Sequence, residues 1–152
     1  MKKGLLTAIL LACGLGVWAQ QSYSPRLMVK KCKKYIGTPY KFGGNDRNGI
    51  DCSGVIHNAF EELNVKFPRV SHQQAEVFRE IKLKRARTGD LVYFTTAGNR
   101  INHTGVIVKK KGNRKVMFLH ASTSSGVRID NLNSGYWKNK LVKVTRPLDF
   151  HR

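Results

Sequence analysis

The segment from Tyr35 to Phe60 constrains this chain more than any other, because loop chemistry runs straight into a helix and leaves a cysteine at the junction. Pro39 after Thr38, the pair Gly43 and Gly44, and Asn45, Asp46 and Asn48 are turn formers. Val55, Ile56, Ala59, Phe60 and Leu63 then recur at helical spacing, and Asp51 ahead of them is a good N-cap type. Cys52 therefore falls in the first turn. Unpaired N–H groups and the helix dipole favour negative charge there, which predicts a thiol with a lowered pKa and a raised thiolate fraction. Cys52 also shares the apolar stripe of Ile56 and Phe60, the pattern of a small core side chain.

At the start of the chain, Lys2 and Lys3 precede an apolar run from Leu5 to Leu11 that is short for a membrane span, and Val17-Trp18-Ala19 resembles a small-residue cleavage site. The expected organisation is a signal peptide over 1–19 and one domain over 20–152, whose 133 residues are enough to bury a core. The protein is then exported, to the periplasm, the cell envelope or the medium. An uncleaved anchor is one alternative. Another is a lipoprotein, because Leu10-Leu11-Ala12-Cys13 resembles a lipidation box; it ranks behind the signal peptide because the apolar run continues past Cys13.

Losing Lys2 and Lys3 takes the formal charge from +19 to +17. Such a field favours anionic partners. For an exported chain these are anionic cell-envelope polymers rather than nucleic acid, and no basic-plus-aromatic recognition motif is present. A monomer is expected. Cys32 lines up with Met28, Tyr35 and Ile36 on a helix from about Arg26, which marks a buried structural thiol rather than a disulfide partner for Cys52.

Beyond Asn64 and Pro68, Ser71 is expected to cap a short helix. The period then changes. Leu91–Phe94, Thr104–Val108, Val116–Ala121, Val127–Ile129 and Leu141–Thr145 are short β-rich runs separated by Gly and Asn. Helices first and strands after argue for an α+β domain, with the helices packed against a mostly antiparallel sheet of five or six strands.

His103 opens one of these runs and His120 closes the next, and the polar stretch Lys110 to Arg114 should join them as a hairpin. A two-residue turn makes the histidines diagonal neighbours on one face, and a four-residue loop sets them directly opposite. A three-residue loop sends them to opposite faces, so register decides. With Cys52 upstream, the chemistry this set supports is acyl transfer. Cys52 is the nucleophile, His103 holds the thiolate as an ion pair and protonates the leaving amine, and His120 orients His103. Backbone N–H groups at the helix start are available to an oxyanion. No C-x-x-C, H-x-x-x-H or H-E-x-x-H pair preorganises a metal site, and no cofactor is expected.

Asp51-Cys52-Ser53-Gly54 after Tyr40-x-Phe42-Gly43-Gly44, then Arg69-x-Ser71-x-x-Gln74, Gly89–Phe94, His103-Thr104-Gly105-Val106 and His120-Ala121-Ser122 occur in that order, and the set resembles the NlpC family of bacterial cell-wall cysteine peptidases. The resemblance runs from about Met28 to Val144. It implies a papain-like fold and hydrolysis of peptidoglycan stem peptides, commonly between γ-D-glutamate and a diamino acid. By position it assigns Cys52 as nucleophile, His103 as base and His120 as the third polar residue. It also places Tyr40 in the cleft, where its hydroxyl can assist the oxyanion site, and Asp51 and Ser53 along the substrate site. Arg69 and Ser71 stay outside the catalytic set. Many members carry a wall-binding module for which 20–152 has no room, so wall targeting would rest on the basic surface, or on a lipid if Cys13 is modified. A non-catalytic wall-binding protein, and an amidase or acyltransferase using the same Cys and His groups, are the competing readings.

Overall fold

The computed structural model describes residues 24–147, so the expected leader and Cys13 lie outside the described residues. Helix α1 (Pro25–Lys33) starts with Ser24 as N-cap and proline in its first turn, a pairing that suits a position with no intrahelical N–H partner. A two-stranded ribbon, β1 (Asn45–Asp46) and β2 (Gly49–Ile50), leads into α2 (Cys52–Glu61), and α3 (Ser71–Gln74) is a single turn. Strands β3 (Leu91–Phe94), β4 (His103–Lys111), β5 (Lys115–Ser122), β6 (Gly126–Asn131) and β7 (Leu141–Thr145) follow, with α4 (Gly135–Lys140) between the last two. They form one antiparallel sheet of order β6-β5-β4-β3-β7. The α+β reading and the bounds of β3 and β7 match the sequence expectation. Ser71 is not a cap: Val70 occupies the N-cap of α3, and no side chain bonds there.

Period-2 alternation splits each strand between two cores. Leu91, Tyr93, Val106 and Leu119 face α1 and α2, where Met28, Val55, Ile56, Ala59 and Phe60 are fully buried. Burying a side chain such as Phe60 contributes about 2–3 kcal/mol. Val92, Phe94, Ile107 and Phe118 face the other way, against Leu132, Val144 and the half-buried Trp137. Both edges of the sheet are covered. Gly37 N–H donates to Val127 O and Val127 N–H to Thr38 O along β6, while Ile81 N–H donates to Val144 O along β7.

The β4–β5 hairpin closes on residues 112–114, with Lys111 opposite Lys115. Three residues in the turn would, on a regular ladder, put His103 and His120 on opposite faces. A β-bulge at Val108 corrects this, because pairing resumes as Ile107 with Phe118 and Val106 with Leu119. His120 then lies across from Gly105, with His103 as its diagonal neighbour. A Cβ on Gly105 would come within 2.6 Å of Leu119 O and 3.2 Å of His120 Cβ, so this crossing admits only glycine.

Candidate active site

Asp51 builds the junction that carries Cys52. Its carboxylate caps α2 through Gly54 N–H at 2.7 Å, accepts from Gly43 N–H at 2.9 Å, and is gripped by Arg69 through Nη1 at 2.8 Å and Nη2 at 3.0 Å. Burial pushes the Asp51 carboxyl up, but Arg69 and the two N–H groups outweigh it and hold it below the usual carboxylate range. Arg69 also donates to Gly44 O and Ser53 Oγ, and Ser53 O accepts from Gln74. One arginine thus ties the glycine loop, the helix cap and the first turn together.

The first turn of α2 leaves the N–H groups of Cys52 and Ser53 beside Sγ, since that of Gly54 is taken by the cap. Sγ rests against the start of β4, 4.0 Å from the carbonyl of Asn102 and close to the N–H of Thr104. The Asn102 side chain fixes that corner by bonding Thr96 and Ala97. Burial pushes the Cys52 thiol up to about 11, against the pull of the N–H groups of Thr104, Ser53 and Cys52 itself. This corrects the expectation of an activated resting thiolate. The helix-start effect has the expected sign, but desolvation of a buried sulfur is larger. The fraction ionised at neutral pH is therefore below that of a free cysteine. Iodoacetamide should alkylate Cys52 more slowly than glutathione at neutral pH, with a rate still rising well above pH 9. A faster reaction that levels off below pH 7 would contradict the buried neutral thiol.

The histidines form a chain. His103 Nε2 lies 3.0 Å from His120 Nδ1, and His120 Nε2 lies 3.0 Å from Asp130 Oδ2. An ionised carboxylate only accepts, so His120 carries its proton on Nε2 and offers the Nδ1 lone pair. His103 must then donate through Nε2, which leaves His103 Nδ1 as the basic nitrogen. Burial, with the neighbouring His120, lowers His103 to about 3. Burial also lowers His120, though Asp130 opposes it. Asp130 is held below the carboxylate range because bonds from His120 and Trp137 and the charge of Arg128 outweigh its burial. The resting site is therefore a neutral thiol beside two neutral imidazoles. Among the described residues no hydrogen bond joins Sγ to His103; such contacts are often long in free enzymes and tighten around substrate.

Sequence reasoning missed two members of this cluster. Asp130 looks like an ordinary strand residue, yet it stands two positions beyond Arg128, the partner of His120 on β6. Trp137 covers the imidazoles, stacked on His103 with centroids 5.2 Å apart and edge-on to His120, while its Nε1 donates to Asp130 at 3.3 Å. The cleft beside Sγ, about 430 Å³, is lined by Tyr40, Asp51, Cys52, Ser53, Arg69 and Arg100 among others. A smaller hollow of about 220 Å³ lies beyond it, against His103, Ser122 and Trp137. All six residues expected at the site, Tyr40, Asp51, Cys52, Ser53, His103 and His120, thus border this region or its buried chain.

The model of the NlpC/P60 family matches residues 37–146, a span that holds every residue of this site and all elements from β1 to β7. The chain belongs to the NlpC/P60 family. It is similar to the murein DD-endopeptidase/LD-carboxypeptidase MepS of Escherichia coli K12, with 40% identity over 113 residues that make up 74% of this chain and 57% of that protein. It is also similar to the bifunctional muramidase/DL-endopeptidase CwlT of Bacillus subtilis, 37% identical over 78% of this chain and 35% of the relative. The match therefore spans little more than half of the first relative. An NlpC/P60 protein of Bacillus cereus superposes with a TM-score of 0.74 at 20% identity, covering 84% of this chain and 41% of that one. A family structure from Staphylococcus aureus gives 0.68 at 29%, over 80% and 40%. The papain-like fold of this NlpC/P60 domain agrees with the expectation.

Proposed function

We propose that this NlpC/P60 protein is an exported cysteine endopeptidase that hydrolyses peptidoglycan stem peptides at the bond between γ-D-glutamate and the diamino acid. The observation that carries the reading is the polarised chain Asp130–His120–His103 ending at the β4 corner where Cys52 Sγ rests. As substrate displaces water, Sγ attacks the carbonyl carbon while its proton passes to His103 Nδ1. The imidazolium that forms is stabilised through His120 by the charge of Asp130. In this reading the oxyanion is stabilised by the N–H of Cys52 and by the hydroxyl of Tyr40, a residue that lines the same cleft. His103 then protonates the departing amine. Water, deprotonated by the same nitrogen, hydrolyses the thioester.

Asp51 and Ser53 line the cleft, but their polar atoms already serve Arg69 and the cap, so they shape the substrate site more than they supply free charge. A second reading of the bond, cleavage between D-alanine and the diamino acid, is favoured by the likeness to the murein DD-endopeptidase of E. coli. Mass spectrometry of defined murein fragments separates the two. New free amine on the diamino acid with a γ-D-glutamyl carboxyl supports the first, and D-alanyl termini support the second. Cleavage of neither by reduced, folded protein would return weight to a non-catalytic wall-binding protein, or to an amidase or acyltransferase.

Asp130 has its own test. Asp130→Ala removes the acceptor that sets both tautomers, and kcat should fall about ten- to a hundredfold with KM little changed. Asp130→Asn keeps the shape but can present an N–H to His120 Nε2. Nitrogen NMR of the histidines should then show His120 protonated on Nδ1, a change that a merely structural role would not produce.

A further inference from the structure

The catalytic reading uses one end of the sheet. Strand β4 runs from His103 to Lys111, so its far end lies about 25 Å away. Three elements converge there. The hairpin tip brings Lys109, Lys111, Arg114 and Lys115, all exposed. The segment before β3 brings Lys82, Lys84, Arg85 and Arg87, also exposed, and Arg79 precedes them along β7. Among the described residues none of these nine cations makes an ion pair. Glu80 is the exposed acid beside them, and Asp90 is buried against Arg146.

The fold anchors this display. Lys110 Nζ donates to Lys84 O at 2.6 Å and to Leu83 O at 3.3 Å, and Arg146 Nη2 donates to Arg85 O at 2.8 Å. Two cations are thus used to fix the backbone that presents Lys84 and Arg85. A cleft of about 340 Å³ opens beside them, lined by Arg79, Lys82, Lys84, Arg85 and Arg146 with Glu80. None of the exposed large apolar side chains falls in the segments 79–87 or 109–115, so a lipid surface finds no anchor there. Those segments also lack aromatic residues on which bases could stack.

We infer that this pole is a binding site for a linear, phosphate-bearing polyanion of the cell envelope, held apart from the catalytic cleft. Arginine forks and lysine point charges around a narrow cleft suit phosphodiester oxygens. A chain held there leaves the opposite end of the sheet free to work on stem peptides. The envelope setting rests on the proposed function; the binding itself does not, and it is tested in the Cys52→Ala protein.

The probe is poly(glycerol phosphate), with binding followed at several salt concentrations. Lys82→Glu/Lys84→Glu/Arg85→Glu should lower affinity about a hundredfold and flatten its salt dependence. Lys30→Glu/Lys33→Glu/Lys66→Glu, an equal charge change on other exposed lysines, should cost about threefold or less. Melting curves report folding. If the triple variant does not fold, Lys84→Glu alone should cost about fivefold. With Cys52 restored, the pole variant should cleave a soluble stem peptide at the normal rate. Equal losses in both triple variants, or no binding of the polymer, would overturn the proposal. So would pole-dependent binding to phosphatidylglycerol vesicles without binding to the polymer.

Discussion

Cys52→Ala protein, incubated with murein fragments under conditions in which the intact protein digests them, should release no new stem-peptide ions. The other described cysteine, Cys32, is fully buried in the core and out of reach of a substrate carbonyl. His103, His120 and Asp130 would remain in place, but general-base groups without a nucleophile recover only a small part of the rate. The expected loss is at least about 10³-fold in kcat, below detection in a fragment assay. The fold should survive, because alanine keeps the helix start and Asp51 still caps Gly54. Retention on anionic polymer should be unchanged. If the alanine variant cleaves as the parent does, the endopeptidase reading fails and a contaminating hydrolase or another nucleophile is at work.

Arg69→Ala should be the most damaging single change to stability near the site. The guanidinium makes two bonds to the buried Asp51 carboxylate and one each to Gly44 O and Ser53 Oγ. Removing it leaves a carboxylate with only backbone and hydroxyl donors in a shielded pocket. Breaking such a pair costs about 3–5 kcal/mol when fully buried, and Arg69 keeps 30% side-chain exposure, so about 3 kcal/mol is expected. The melting temperature should drop by roughly 10 °C. The pH response fixes the cause. The Asp51 carboxyl is depressed in the folded protein, so its contribution is present above the unfolded carboxylate pKa and lost as pH falls through the folded value. The gap between parent and Arg69→Ala should therefore narrow only as pH falls below the ordinary carboxylate range, where Asp51 of the folded parent takes up its proton. A gap that stays constant down to pH 2 would assign Arg69 to packing rather than to charge.

Much of this arrangement was legible in the chain because it rests on local rules. Asp51 ahead of Val55, Ile56 and Phe60 marks a capped helix, and the helix places Cys52. Leu91–Phe94 and Leu141–Thr145 are compact β-rich runs between polar breaks, and both became strands with the expected bounds. What escaped depends on through-space context. The bulge at Val108 is a backbone event with no glycine or proline to announce it, so the three-residue turn found here would by itself imply opposite faces, and the sequence left the register open. Asp130 reaches His120 only through the β5–β6 register, and α4 is a polar helix of six residues whose role lies in where it sets Trp137. For Cys52, helical position reveals the N–H groups but not the depth of burial, and burial decides the charge.

The bulge also sets which insertions the hairpin can accept. Between Val108 and the histidines, every residue is counted by the ladder, and one added to Thr104–Ile107 or between Phe118 and Leu119 would rotate a catalytic imidazole out of reach. Beyond the bulge nothing is counted, because the pairing nearer the site already holds the register. Residues 112–114 can therefore grow into a longer loop, an epitope or a grafted peptide while His103 still meets His120. Length variation across relatives, and any engineered insertion, should be tolerated at that tip and excluded from the few residues behind it.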